Sequence, residues 1–131
     1  YCNAELYALQ EILGELESKG ATLVAITPQL PEHSVRMIEK HKLSFDILHD
    51  PGNSYAAQQG IRFALPDDLR AVYLKFPIDL PAVNGEPSWT LAIPTRILVS
   101  PDSVVRAVHA DPDYTHRPEP VTSLNDLASL A

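Results

Sequence analysis

Gly20-Ala21-Thr22-Leu23-Val24-Ala25-Ile26-Thr27-Pro28 is the stretch on which the fold class turns. Thr22 to Thr27 is a short apolar run bounded by Gly20 and Pro28. It reads as a buried strand, and as a parallel one, because parallel sheets are covered on both faces. Upstream, Leu6, Leu9, Leu13 and Leu16, with Ile12 beside them, recur at helical spacing. Glu5, Glu11, Glu15, Glu17 and Lys19 take the opposite face. This predicts a helix from about Asn3 to Lys19, stopped by Gly20. Downstream, Pro31 and Glu32 suit the first turn of a second helix. That helix carries Val35, Met37 and Ile38 and ends near Lys42. Phe45 to Leu48 is a second short strand, closed by Asp50-Pro51-Gly52.

Farther out, Asn53 is placed to cap a small helix through Gln59, with Gly60 ending it. Pro66-Asp67-Asp68 opens an amphipathic segment whose Leu69, Val72, Tyr73 and Phe76 are spaced for one buried face. The Asp67-Asp68 pair at a helix start complements the helix dipole. Ile78 to Thr90 is the least regular stretch, with Pro81, Pro87, Asn84-Gly85 and Trp89. Thr95 to Ser100 reads as a strand, Pro101-Asp102-Ser103 as a tight turn, and Val104 to Ala110 as its hairpin partner. Asp111 to Pro120 is a proline-rich loop, after which Thr122 or Ser123 caps a helix with Leu124, Leu127 and Leu130. Alternating helices and strands followed by a hairpin and a closing helix imply an α/β sandwich with a mixed sheet. A strand before the first helix would complete a right-handed βαβ unit.

The 131 residues fit one domain by size. With 45% hydrophobic and 21% charged residues, the composition is that of a globular chain rather than a disordered one. No apolar run approaches the ~18 residues needed to cross a bilayer. A net charge of −7 disfavours phosphate backbones and anionic membrane surfaces, so neither nucleic acid nor membrane is an expected partner. One cysteine excludes an internal disulfide framework. The chain opens on Tyr1-Cys2-Asn3 with no initiator methionine and no basic-then-apolar leader. It is expected to begin inside a longer polypeptide.

Two positions carry chemistry. Cys2 lies at the start of the first helix, where unpaired N–H groups and the positive dipole end favour a thiolate over a thiol. The competing reading is a buried structural cysteine; against it, Cys2 falls at the helix edge and outside the leucine stripe. Pro94, in Ile93-Pro94-Thr95, stands at the entrance of a strand, where proline cannot donate to the ladder. A cis Ile93–Pro94 bond within contact distance of Cys2 is expected, the alternative being a trans proline that simply begins a strand. The five histidines show no metal-ligand spacing: His33 and His41 are eight apart, and His49, His109 and His116 lie in separate segments. No phosphate-binding glycine loop and no nucleophile elbow are present.

A helix-start cysteine with a strand-entrance proline resembles the thioredoxin fold. Tyr1-Cys2 is similar to the second half of a Trp-Cys-Pro-Tyr-Cys motif. Further segments sharpen the likeness: Tyr1-Cys2-Asn3-Ala4-Glu5-Leu6, Leu23-Val24-Ala25-Ile26-Thr27-Pro28-Gln29 and Leu65-Pro66-Asp67-Asp68-Leu69-Arg70. Asn84-Gly85, Ser88-Trp89-Thr90-Leu91 and Asp111-Pro112-Asp113-Tyr114-Thr115-His116-Arg117-Pro118-Glu119-Pro120 follow, the last being the specific one. Together they resemble the peroxiredoxin-like branch of the AhpC/TSA family over nearly the whole chain.

The resemblance implies a thioredoxin-like mixed sheet flanked by helices, in a single domain over residues 1–131 whose N-terminal central strand is absent from this sequence. It implies a thiol-dependent antioxidant oxidoreductase without metal or organic cofactor. The first cysteine of such a pair attacks peroxide or a disulfide, and the second resolves the product. Cys2 matches the second; the first would stand three residues upstream, so the chain alone is expected to be inactive. Expected partners are a peroxide or disulfide substrate and a thioredoxin-like or small-thiol electron donor, in a reducing cytoplasm, with a homodimer as one option for assembly. Pro94 stands where typical peroxiredoxins place an arginine that orients peroxide. Arg96, two residues on, is the candidate substitute, its alternative being a solvated strand residue. Trp89, Ile93 and Thr95 are expected to line the substrate face, since the loop before Pro94 cannot travel far. A protein disulfide reductase or isomerase, suggested by Pro94, and a non-catalytic binding module, suggested by the single cysteine, are the other readings. Finally, a strand slot is expected between Thr22–Thr27 and Thr95–Ser100; direct pairing of Val24 or Ile26 with Leu98 would contradict the resemblance.

Overall fold

The computed structural model describes residues 2–130. Tyr1, which the motif reading uses, lies outside them. In chain order the elements are α1 (Cys2–Glu11), α2 (Leu13–Ser18), β1 (Val24–Thr27), α3 (Pro31–His41) and β2 (Asp46–His49). After a 3₁₀ turn at Pro51–Asn53 come α4 (Ser54–Gln58), β3 (Arg62–Ala64), α5 (Asp67–Lys75) and α6 (Leu80–Asn84). The chain continues with β4 (Thr90–Ala92), β5 (Thr95–Val99), β6 (Val105–Ala110) and α7 (Pro120–Ala128). These elements form two compact units. One holds the stretch through Leu23, Leu43–Phe45 and the stretch from Ile93 onward; the other holds Val24–Lys42 and Asp46–Ala92.

In the first unit the leucine stripe lies inward as its spacing requires: Leu9, Leu13 and Leu16 are buried, with Leu43 and Phe45. The expected single helix is broken at Ile12, whose backbone leaves the helical region (φ −102°, ψ 3°). Ile12 N still donates to Leu9 O and Leu16 N to Ile12 O, so the break is a tightened turn. Gly20 stops α2 as expected, at φ 79°, where a side chain would be strained. The hairpin β5–β6 pairs Thr95 with Ala110 through Val99 with Val105, with an irregularity between Leu98 and Val99. The side chain of Gln10 in α1 reaches Ser44, donating to its hydroxyl and accepting from its N–H, both at 2.8 Å. The closing helix starts at Pro120, earlier than the expected Thr122 or Ser123 cap, and no side chain caps it. Proline at the first helical position needs no donor partner, so the helix begins without one.

In the second unit β1 and β2 pair in parallel, Val24 opposite Asp46 through Thr27 opposite His49. Lys42 closes α3 in the left-handed conformation. Asn53 does not cap α4 with its side chain. Asp50 does so instead, its two carboxylate oxygens accepting from Tyr55 N and Ala56 N at 2.9 and 3.0 Å. Asn53 is nearly inaccessible and donates to both oxygens of Thr90 at 3.2 Å. The antiparallel pair β3–β4 and helix α6 were not apparent in the sequence, where these short elements lack periodicity. The expected buried face of α5 is corrected: none of its residues is buried, and Leu69 and Val72 are exposed, as is Phe76 beyond its end. Spacing marks an apolar face but not what covers it.

The strands pair in twos rather than in one continuous mixed sheet. Among the described residues β1 pairs with β2 in one unit and β5 with β6 in the other. No described peptide bond is cis, which corrects the expectation for Ile93–Pro94. Trans is the favoured state of any X–Pro bond by about 0.5–1 kcal/mol, and Pro94 precedes the first paired residue, where no N–H is asked of it. No described helix is long and apolar enough to cross a membrane.

Candidate redox site

Cys2 begins α1 and is exposed. Its Sγ accepts a hydrogen bond from Arg117 Nη2 at 3.3 Å. Arg117 Nη1 also bonds Glu5 Oε2, and Arg96 Nη2 bonds Glu5 Oε1 at 2.9 Å. The order is therefore Cys2, Arg117, Glu5, Arg96. Sequence spacing explains half of it, since residues three apart on a helix share a face and bring Cys2 and Glu5 together. The other half is tertiary: β5 delivers Arg96 and the 111–120 loop delivers Arg117.

That loop is braced by its own side chains. Asp111 accepts from Asp113 N at 2.9 Å, and Asp113 accepts from Thr115 N and Oγ1 at 3.0 and 2.6 Å. His116 lies 3.0 Å from Asp111 Oδ2 and 3.4 Å from Asp113 Oδ2. Arg117 Nε then donates to Tyr114 O at 2.7 Å, which fixes the guanidinium plane. Arg96 holds the end of the loop: it donates to Pro118 O and Glu119 O, both at 3.1 Å, and to Ser123 Oγ at 3.2 Å. All three charged side chains are largely withdrawn from water, at 19% exposure for Glu5 and 13% for each arginine.

The charges follow the contacts. Burial works against the Arg117 guanidinium, but hydrogen bonds to Cys2 and Glu5 outweigh it and hold the group above its ordinary value. Asp111 is held below its ordinary value chiefly by the Asp113 N–H, and Asp113 chiefly by the Thr115 hydroxyl. An arginine donor is a fixed positive partner whose bond to sulfur strengthens when the sulfur carries negative charge. Two concavities flank Arg117. One, of about 620 Å³, has Pro94, His109, Thr115 and His116 in its wall; the other, of about 270 Å³, has Ala4, Glu5, Ala8 and Arg96. Among the described residues no three His, Cys, Asp or Glu side chains converge on a metal position.

Set against the sequence reading, Cys2 is on the helix edge as expected, and Pro94 shares a concavity with the arginine that touches it. Arg96 is not a solvated strand residue, and its guanidinium reaches Glu5. The arginine on the sulfur is Arg117, which the residue-by-residue reading missed. Its signal was the Asp111–Pro120 segment, the specific part of the resemblance, although nothing local in it points to Cys2. Glu5 was read only as part of a polar helix face. Ile93 and Thr95 bond one another, Thr95 Oγ1 to Ile93 O at 2.8 Å, and Thr95 opens β5. Trp89 belongs to the other unit, where its carbonyl accepts from Leu65 N at 2.8 Å.

A stretch of 60 residues is 32% identical to the Haemophilus influenzae protein named "Putative peroxiredoxin bcp". The match covers 46% of this chain, which spans 39% of that relative's length. The sequence model of the AhpC/TSA family matches residues 1–108, from the cysteine-bearing helix α1 into strand β6. The chain thus belongs to the AhpC/TSA family, whose fold is thioredoxin-like α/β.

Proposed function

We propose that this chain works in thiol-dependent peroxide reduction, with Cys2 as the resolving cysteine of a pair. The observation that carries the reading is the Arg117 donor on Cys2 Sγ, itself held by Glu5. The other cysteine is the upstream one implied by the family resemblance. Its thiolate attacks the distal peroxide oxygen; the S–O bond forms, the O–O bond breaks, and the alkoxide leaves with a proton as alcohol. Cys2 then attacks the sulfenic sulfur; an S–S bond forms and hydroxide leaves with a proton as water. A dithiol donor returns the disulfide to two thiols and is itself oxidised. Arg117 steadies negative charge on Cys2 before that attack, and Glu5 keeps the guanidinium in place. A single cysteine in this sequence fits a reducing compartment such as the cytoplasm.

The test is peroxide consumption by the full polypeptide with a dithiol donor, beside its Cys2→Ser variant. The reading expects turnover by the parent and a trapped sulfenic acid in the variant, detected by dimedone mass labelling. No turnover with any dithiol, or no change on removing Cys2, would overturn it. Disulfide reduction is the second reading, favoured by Pro94 in the wall beside Arg117 where an arginine was expected. Faster reduction of a protein disulfide than of peroxide would put it first.

A further inference from the structure

The loop that aims Arg117 at Cys2 closes on a histidine. His116 N donates to Asp113 O at 3.0 Å, which makes a turn of Asp113 to His116 and brings the imidazole back to two carboxylates. Its Nδ1 lies 3.0 Å from Asp111 Oδ2 and its Nε2 3.4 Å from Asp113 Oδ2. A neutral imidazole has one N–H and one bare lone pair, so one carboxylate would face that lone pair; only the imidazolium offers each a donor. The two carboxylates also oppose one another. Asp111 is held below its ordinary value first by the Asp113 N–H and then by His116, while the Asp113 charge acts against it. A cation between the two removes the repulsion that would spread the turn.

That turn sets the guanidinium. Tyr114 O, inside the turn, accepts from Arg117 Nε at 2.7 Å. Glu5 of α1 holds the same guanidinium from the other side, and its Nη2 reaches Cys2 Sγ at 3.3 Å. His116 directly precedes Arg117, so its ring is anchored one residue from the group that touches sulfur. The remaining titratable group in the wall of this concavity is His109 of β6, whose Nε2 is 2.7 Å from Asp126 Oδ2 of α7. It has its own partner and stands outside the turn. We infer that His116, as the imidazolium, is a positioning residue of the redox site: it clamps Asp111 to Asp113 so that Arg117 stays on Cys2, and the clamp opens as the ring loses its proton. Histidine changes charge between about pH 5 and 8, so the gain in Cys2 reactivity from the clamp belongs to the acid side of that window. The inference rests on Cys2 being a reacting thiol, as proposed above.

The test is the rate of iodoacetamide alkylation of Cys2 in the full polypeptide from about pH 5.5 to about pH 8.5, read by peptide mass spectrometry. Far-UV circular dichroism confirms that each variant folds. Dividing by the rate of His116→Gln cancels the ordinary titration of the thiol. The parent is expected to react about twofold faster than His116→Gln at about pH 5.5 and at the same rate by about pH 8.5. The factor is small because the His116 side chain is 67% exposed. His116→Arg, which keeps several donors and a permanent charge, should stay about twofold faster at both ends. The same fall in the ratio should appear when His109→Gln is added to the parent and to His116→Gln alike. A parent ratio that does not change with pH overturns the inference. So does a His116→Arg variant that behaves like His116→Gln, or a fall that vanishes with His109→Gln. No peroxide or electron donor enters this assay, so a flat ratio tells against the clamp and absent turnover against the proposed function, separately.

Discussion

Replacing Glu5 by glutamine tests whether the cluster at Cys2 is a structural hinge pin or a surface decoration. Glutamine keeps the shape but removes the charge, and its amide group can present only one acceptor oxygen. Arg96 and Arg117 are then left facing one another with a donor between them. An exposed ion pair contributes about 0–1 kcal/mol, whereas breaking a buried one costs about 3–5 kcal/mol. With Glu5 at 19% exposure and both arginines at 13%, the site lies nearer the buried limit. Residual solvent screening lowers the expectation to about 3 kcal/mol. At a urea m-value of roughly 1.5 kcal/mol/M, the midpoint should fall by about 2 M. Urea unfolding followed by circular dichroism measures it. A double-mutant cycle with Arg117→Gln should give a coupling of about 1 kcal/mol or more. A midpoint shift under about 0.5 M, or strict additivity in the cycle, would refute the argument that Glu5 holds the two arginines.

Three further outcomes are expected. Arg117→Gln removes the donor on Cys2 Sγ and should slow iodoacetamide alkylation at neutral pH by roughly three- to fivefold, a modest factor because Cys2 is exposed; an unchanged rate measured by mass spectrometry would count against the site. Gly85→Ala should destabilise by about 2–3 kcal/mol in thermal or urea unfolding. Gly85 sits at φ +69°, and an added Cβ would lie 2.6 Å from Leu30 Cδ2. In acid, the 111–117 loop should keep its order while the pH stays above 3.8 and loosen below it. Asp111 and Asp113 are both held below that value, so their contribution is fully present above it and is lost as pH falls through the lower folded values. The Thr115 amide resonance reports this, and a midpoint at or above 3.8 would contradict it.

Local rules carried the elements a long way. Gly20 ends a helix for a reason of backbone conformation alone, and the strand at Val24–Thr27 and the hairpin at Thr95–Ala110 follow from short apolar runs between turn residues, although the burial expected of the first strand is not found, Val24 and Ile26 being exposed. The redox candidate Cys2 was legible because a helix start is a local feature. What distance in the chain decides was not legible. Arg117 reaches Glu5 and Cys2 across more than a hundred residues, and only the braced 111–117 loop aims it there. Arg96 looked like one more strand residue until β5 and the loop end closed around its guanidinium. Likewise, spacing marked the apolar face of α5 but could not say that its own chain leaves it open. Periodicity reports which side of an element is apolar; what that side meets, and which charges meet across the fold, is set by long-range packing that no window of sequence contains.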